Sequence, residues 1–214
     1  MMMTAVLSAD ETAIRRAIQV LKGGGLVAFP TDTVYGVGAH AFMPEAVAKL
    51  YTAKMRPRDR AIPILLAGAE DIALVAEEIP EVAWELMERF WPGGLTLVLP
   101  KKAAVPDMVT AGQPNVAVRV PDHPVPQALI EGLGAPLAAT SANLSGHPSP
   151  ITAEEVRAEL GGRIELILDG GRCPGGIPST VLDLTADPPA ILRQGAVAAE
   201  AIKAILPRVT IPRR

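Results

Sequence analysis

Proline and glycine cut this sequence into short pieces. The 21 prolines and 19 glycines are spread along 214 residues and fall at the ends of apolar or amphipathic stretches, not in one linker. Proline fixes φ and removes an N–H donor, and glycine admits positive φ, so each marks a place where an element stops. The chain is therefore expected to turn tightly between many short elements of one domain, 1–214, with a core from about residue 10 to 206.

Between those breaks two periodicities alternate. Asp10 can cap a helix with Ile14, Ala17, Ile18 and Leu21 at helical spacing, ended by Gly23-Gly24-Gly25. Pro44 opens a second helix, with Val47, Leu50 and Tyr51, that delivers Lys54 at its end. Further helices are predicted over 69–78, over 80–90 with Pro80 at the first helical position, after the Thr152/Glu155 capping pattern, and over 198–206. Leu26–Phe29, Ile62–Leu66, Leu95–Leu99, Val116–Val120, Ala135–Ala139, Glu165–Leu168, Val181–Leu184 and Ala190–Leu192 read as short strands. The spacing is too uneven for a regular βαβ repeat. The expected class is α/β of the mixed, α+β kind, with a twisted mixed sheet and flanking helices.

Composition narrows the function classes. Hydrophobic residues make up 49% and charged residues 20%, enough for a large core; aromatics are only 3%, so aliphatic residues must fill it. The net charge of −3 excludes a chain that is basic overall, so an anion site has to be a local concentration of cations. The single cysteine, Cys173, excludes an internal disulfide. No apolar run approaches the roughly 18 residues of a membrane helix, and the Met-rich start lacks a signal-peptide pattern. The expected location is the cytoplasm.

The densest local charge is Lys54-Met55-Arg56-Pro57-Arg58-Asp59-Arg60. Arginine offers planar donor forks to phosphate and lysine a compact point charge; a solvated loop is the plain alternative. Ser141-Ala142-Asn143 follows a buried-strand candidate with a hydroxyl and an amide. Hydroxyls at 31, 33 and 35 share a side if Pro30–Gly38 stays extended, and Gly36 and Gly38 permit close backbone approach to a ligand. Arg119, amid Val116–Val120, must be exposed, paired, or used on an anionic ligand. The loop from Asp169 to Thr180 is rich in Gly and Pro and can aim N–H groups at an anion or serve simply as a loop. His40, His123, His147 and Cys173 show no metal-ligand spacing, and neither a P-loop, a dinucleotide fingerprint nor a Gly-x-Ser-x-Gly elbow is present.

Taken in order, Pro30-Thr31-Asp32-Thr33-Val34-Tyr35-Gly36, Lys54-x-Arg56-Pro57, Trp91-Pro92-Gly93-x-Leu95-Thr96, Val118-Arg119-Val120-Pro121, Ser141-Ala142-Asn143-x-Ser145-Gly146, Ser179-Thr180-Val181 and Leu192-Arg193-x-Gly195 resemble the YrdC-like family, from about Thr12 to Ile205. The similarity is to its L-threonylcarbamoyladenylate synthases, in a short single-domain form. The resemblance implies a domain around an open, positively charged cavity. It also implies condensation of L-threonine, bicarbonate and ATP, with Mg2+ accompanying the ATP, into threonylcarbamoyl-AMP and pyrophosphate. The product would pass to tRNA-modifying transferase proteins. Contact with RNA is expected to be weak, and the competing reading is an RNA-binding module without synthase activity. Residue by residue, Lys54, Arg56, Ser141 and Asn143 correspond to the catalytic set. Thr33, Arg119 and Ser179 correspond to the threonine site, and Arg56, Arg60, Asn115, Ser141, Ser149 and Arg193 to the ATP site. Three positions depart from the family pattern: Met55 stands where Gly is frequent, Ala61 where Pro is common, and Leu65 where some relatives carry a His that contacts threonine.

Overall fold

The computed structural model describes residues 3–211. Ten strands make one sheet: β1 (Ala5–Ser8), β2 (Val27–Phe29), β3 (Gly36–His40), β4 (Ile64–Leu65), β5 (Leu95–Pro100), β6 (Asn115–Arg119), β7 (Leu137–Ser141), β8 (Leu166–Asp169), β9 (Thr180–Asp183) and β10 (Ala190–Arg193). Their spatial order is β1-β8-β2-β3-β7-β4-β6-β5-β9-β10. The pairs β1/β8, β2/β8, β4/β6 and β5/β9 are parallel, and the other neighbours are antiparallel. The sheet is mixed, as the uneven spacing requires. Around it lie α1 (Glu11–Lys22), α2 (Pro44–Ala53), α3 (Glu81–Phe90), α4 (Asp107–Thr110), α5 (Pro124–Leu133), α6 (Ala153–Leu160) and α7 (Ala199–Lys203). No helix among the described residues is long and apolar enough to cross a membrane.

The local signals for α1 and α6 act as expected. Asp10 accepts from the Ala13 N–H at 2.8 Å, and Ala13, Ala17 and Leu21 are buried. Thr152 accepts from the Glu155 N–H, while the Glu155 carboxylate reaches back to the Ile151 N–H at 2.7 Å. Pro80, by contrast, is the N-cap of α3 and not its first helical residue. The helix expected over 69–78 is a 3-10 stretch, Ala69–Leu74, because the next residues pair elsewhere. Glu77 N–H donates to Pro100 C=O, Lys102 N–H donates to Val75 C=O, and Ala76 bridges Lys101. Helix α5 has no clear signal in the sequence: Pro124 and Pro126 resemble turn residues, yet both lie in its first turn, where proline costs little.

Two further elements depend on partners. Strand β1 lies ahead of the expected core start and exists through its parallel pairing with β8. Strand β3 forms despite two glycines, and they have a packing cause. A Cβ at Gly36 or Gly38 would come within 3.1 Å of the Phe29 ring on the neighbouring strand. Both glycines make room for Phe29, and Gly36 also borders the cavity described below.

Strand alternation divides the core. Ala28, Ile64, Leu66, Ala138 and Ile167 belong to one cluster, together with residues of α2, α3, α6 and α7. Val27, Phe29, Leu65, Leu137, Ala139, Leu166 and Leu168 point the other way, onto α1 and α5. Farther along the sheet, Leu95, Leu97, Leu99, Val116, Val118, Leu182 and Ile191 continue the first cluster. Their alternating neighbours Thr96, Val98, Asn115, Ala117, Arg119, Val181 and Asp183 face a cavity instead.

Candidate active site

The cavity measures about 500 Å³, within the range of roughly 300–1,000 Å³ typical of small-molecule sites. Strands β5, β6 and β9 supply its floor by parity. Its other walls come from the Thr31–Gly36 turn, the loop after α2, the end of β7 and the following loop, and β10. The sequence-predicted residues Thr33, Arg56, Asn115, Arg119, Ser141, Ser149, Ser179 and Arg193 all line it. Lys54, Arg60 and Asn143 do not.

One end is a hydroxyl-rich cluster around Arg119. This side chain is 7% exposed, and its partners come from chain segments far away in sequence. Its Nε donates to Gly93 C=O at 2.8 Å, NH1 to Thr33 Oγ1 at 3.0 Å, and NH2 to Asp32 Oδ1 at 2.5 Å. The acid absent from β6 itself is thus provided by Asp32. Those bonds use three of the five guanidinium N–H groups and leave two for the cavity. Thr31 and Thr33 hydroxyls lie 3.0 Å apart, in a turn and not in an extended segment. The Tyr35 hydroxyl leaves that group and donates to Gly171 C=O at 2.8 Å. Burial raises the Tyr35 pKa well above the usual phenol range.

Ser179 is 6% exposed and joins this end to the next. Its Oγ lies 2.8 Å from Thr96 Oγ1 and accepts from Arg193 NH2 at 3.1 Å. Arg193 also grips the Ser179 carbonyl through Nε and NH2, at 3.0 and 2.8 Å. Arg56 is held against its own loop, donating to Arg60 C=O at 3.1 Å and Ala61 C=O at 2.8 Å. A backbone carbonyl suffices there, so Ala61 serves although the family often has Pro. The lining thus carries three guanidinium groups against one carboxylate, Asp183. Burial lowers the pKa of Arg56, Arg119 and Arg193; Arg60 and Arg193 repel Arg56, and Arg193 repels Arg119. Arginine does not deprotonate under these conditions, so an anion in the cavity would offset this repulsion.

Lys54 departs most from expectation. It is the C-cap of α2, but it is 1% exposed and not a surface cation. Its Nζ donates to the carbonyls of Ser141 and Asn143. Burial, reinforced by the Arg56 charge, pulls its pKa down to about 7, with Glu159 acting in the opposite sense. Asn143 is 5% exposed; its Nδ2 donates to Leu144 and His147 carbonyls, both at 2.8 Å, and its Oδ1 is buried without a partner. Both side chains shape the loop behind Ser141. Met55, next to Lys54, has φ 50°, the left-handed region that favours glycine. This accounts for the Gly frequent at that place in the resembling family. Leu65 lines the cavity at the junction with the α1/α5 core.

Asp32 and Thr96 carry no local signal of their roles, because the pairing that engages them crosses more than 80 residues of sequence. No three His, Cys, Asp or Glu side chains among the described residues converge in a way that could hold a metal ion. The cationic cavity does not fit a resident Mg2+ bound by protein ligands alone.

Comparisons with known proteins give the family. The family profile described as telomere recombination, named for Sua5, YciO and YrdC, matches residues 19–195. Threonylcarbamoyl-AMP synthase of Pyrococcus abyssi is 47% identical over 202 residues, covering 94% of this chain and 59% of that protein. The Bacillus subtilis protein of the same name is 47% identical over 204 residues, covering 95% and 59%. The chain thus spans about three fifths of these relatives' length. The crystal structure of P. abyssi Sua5 complexed with L-threonine superposes with a TM-score of 0.93 at 45% identity, covering 99% of this chain and 62% of that one. With the profile matched over most of the sequence and the same fold beneath it, this chain belongs to the Sua5/YciO/YrdC family.

Proposed function

We propose that this chain condenses L-threonine, bicarbonate and ATP into L-threonylcarbamoyl-AMP and pyrophosphate. The product is the activated intermediate for threonylcarbamoylation of the adenosine beside the anticodon in certain tRNAs. The observation that carries this is one cavity joining a hydroxyl-and-guanidinium cluster, Thr33, Arg119 and Ser179, to a second set, Arg56, Ser141, Ser149 and Arg193. The first suits an amino-acid carboxylate, since Arg119 retains two N–H donors and hydroxyls flank it. The second suits phosphate oxygens, and Asn115 would join it from the start of β6.

In this reaction the threonine amine captures the carbon of bicarbonate with loss of water, giving a carbamate. A carbamate oxygen then attacks the α-phosphorus, the bond to the bridging oxygen breaks, and pyrophosphate leaves. Two anions must be brought together, so positioning and charge stabilisation matter more than a dedicated acid–base pair. Arg56 and Arg193 would stabilise the developing phosphoryl charge, and Ser141 would orient an oxygen of it. Lys54 and Asn143 would act from behind, by holding the loop that carries Ser141. Mg2+ would enter on the ATP phosphates. The setting would be the cytoplasm, with a tRNA-modifying transferase consuming the product. The names of the relatives support an enzyme over a non-catalytic RNA-binding module.

Pyrophosphate release measured with threonine and bicarbonate omitted in turn is the test. Release that needs both, with threonylcarbamoyl-AMP detected by mass spectrometry, is expected. Turnover indifferent to threonine refutes the proposal.

A further inference from the structure

Ser141 and Ser149 bracket a loop that leaves β7 and returns along the cavity rim. The loop is fastened on one side to the end of α2. Lys54 Nζ donates to the carbonyls of Ser141 and Asn143, and the Ser145 N–H donates to Lys54 C=O at 2.9 Å. On its other side a single side chain from another element holds it. Glu159, in the last turn of α6, accepts from the Leu144 N–H at 2.9 Å and faces His147 Nδ1 at 2.9 and 3.1 Å. An ionised carboxylate can only accept, so this contact puts a proton on Nδ1. The His147 and Leu144 donors together hold the Glu159 carboxyl below its usual range. Inside the loop, Asn143 Nδ2 ties Leu144 and His147 carbonyls together, so Glu159 grips the same two residues that Asn143 spans.

A carboxylate in the last turn of a helix is repelled by the negative end of the helix dipole. Its placement there is unfavourable for α6 and is compensated by the loop contacts, with a smaller contribution from the Lys54 charge. Glu159 does not line the cavity.

We infer that Glu159 is a positioning residue for the nucleotide end of the site: by binding Leu144 and His147 it sets the loop that presents Ser141 and Ser149. The inference rests on the proposed ATP reading. The threonine end is built on β6, β9 and the Thr31–Gly36 turn, and the loop meets that turn at its two ends, where the Ala142 N–H donates to Tyr35 C=O and the Tyr35 N–H donates to Pro150 C=O, both at 2.9 Å, outside the Leu144–His147 stretch that Glu159 grips. The effect of Glu159 is therefore selective between substrates.

Calorimetric titration with ATP alone, and pyrophosphate release against threonine concentration, are compared for the parent, Glu159→Ala and Glu159→Gln, with melting temperatures on the same preparations. Glu159→Ala should weaken ATP binding about tenfold, the scale of a lost charge-assisted hydrogen bond, and leave the threonine requirement unchanged. Glu159→Gln retains an acceptor for the Leu144 N–H and should restore most of the affinity while melting like the parent. Parent-like ATP binding by Glu159→Ala, equal weakening for both substrates, or no rescue by Gln overturns the inference. A parent protein that binds no ATP overturns the functional proposal and this inference with it.

Discussion

Replacing Lys54 by Met should change how stability depends on pH. Lys54 is fully buried, its folded pKa is about 7, and the ordinary value is 10.5. Two carbonyls match the two N–H groups of a neutral amine, whereas the ammonium brings a third N–H and a charge into a site without a contacting carboxylate. The folded pKa lies below the unfolded one, so between about pH 7 and 10.5 the unfolded chain binds the extra proton and unfolding takes it up. Stability therefore rises with pH across that window. The penalty is complete below pH 7, at roughly 5 kcal/mol, and has vanished above 10.5. Integrated from pH 6.5 to 9, the gain is roughly 2–3 kcal/mol. Methionine keeps the approximate volume but leaves the Ser141 and Asn143 carbonyls without a donor, costing about 1–3 kcal/mol for each group. Lys54→Met should thus be less stable than the parent at pH 9, with a gap smaller by roughly 2–3 kcal/mol at pH 6.5. Urea unfolding of both proteins at both pH values measures this directly. A gap of equal size at the two values would show that Lys54 carries the same charge folded and unfolded, and the account of its burial would fail.

Four other substitutions probe the site and its supports. Arg119→Ala should raise the threonine requirement by about one to two decades and the ATP requirement much less, as steady-state kinetics would show. The same change strands the Asp32 carboxylate, so Asp32→Asn combined with Arg119→Ala should recover part of the lost stability in thermal melts without recovering activity. Thr96→Val should weaken threonine use severalfold, since Ser179 Oγ loses its 2.8 Å partner and keeps only Arg193; an unchanged threonine requirement would remove Thr96 from the site. Met55→Gly relieves a left-handed backbone at an exposed position and should raise stability by up to ~1 kcal/mol in denaturant titrations, with loss of stability refuting the strain argument.

Local sequence signals accounted for elements whose cause is local. Asp10 and Thr152 cap helices with hydrogen bonds a few residues long, and Pro44 opens α2 at its first residue. Alternation along β6 turns Arg119 away from Val116 and Val118, and the same parity explains why β5, β6 and β9 floor the cavity. The ordered motifs also located most of the residues that line it. Elements that depend on a distant partner were missed or misread. These include β1 against β8, β3 accommodating Phe29, and the bridge at Ala76 that ends the helix expected over 69–78.

The charges divide in the same way. The sequence by itself determined that Lys54, Arg56, Arg119 and Arg193 would be present and which strands or helices would carry three of them. It also placed hydroxyls near enough in the chain to be recognised as ligand-binding candidates. Only the tertiary structure decided what each charge does. Hydrogen bonds and burial are set by groups outside the local segment: from about 90 residues away Asp32 neutralises Arg119 and the Ser141 and Asn143 carbonyls draw Lys54 inward, and the Ser179 carbonyl, 14 residues away, orients Arg193. A cation's identity is written in the chain, but its solvation and its partners exist only once the strands have come together.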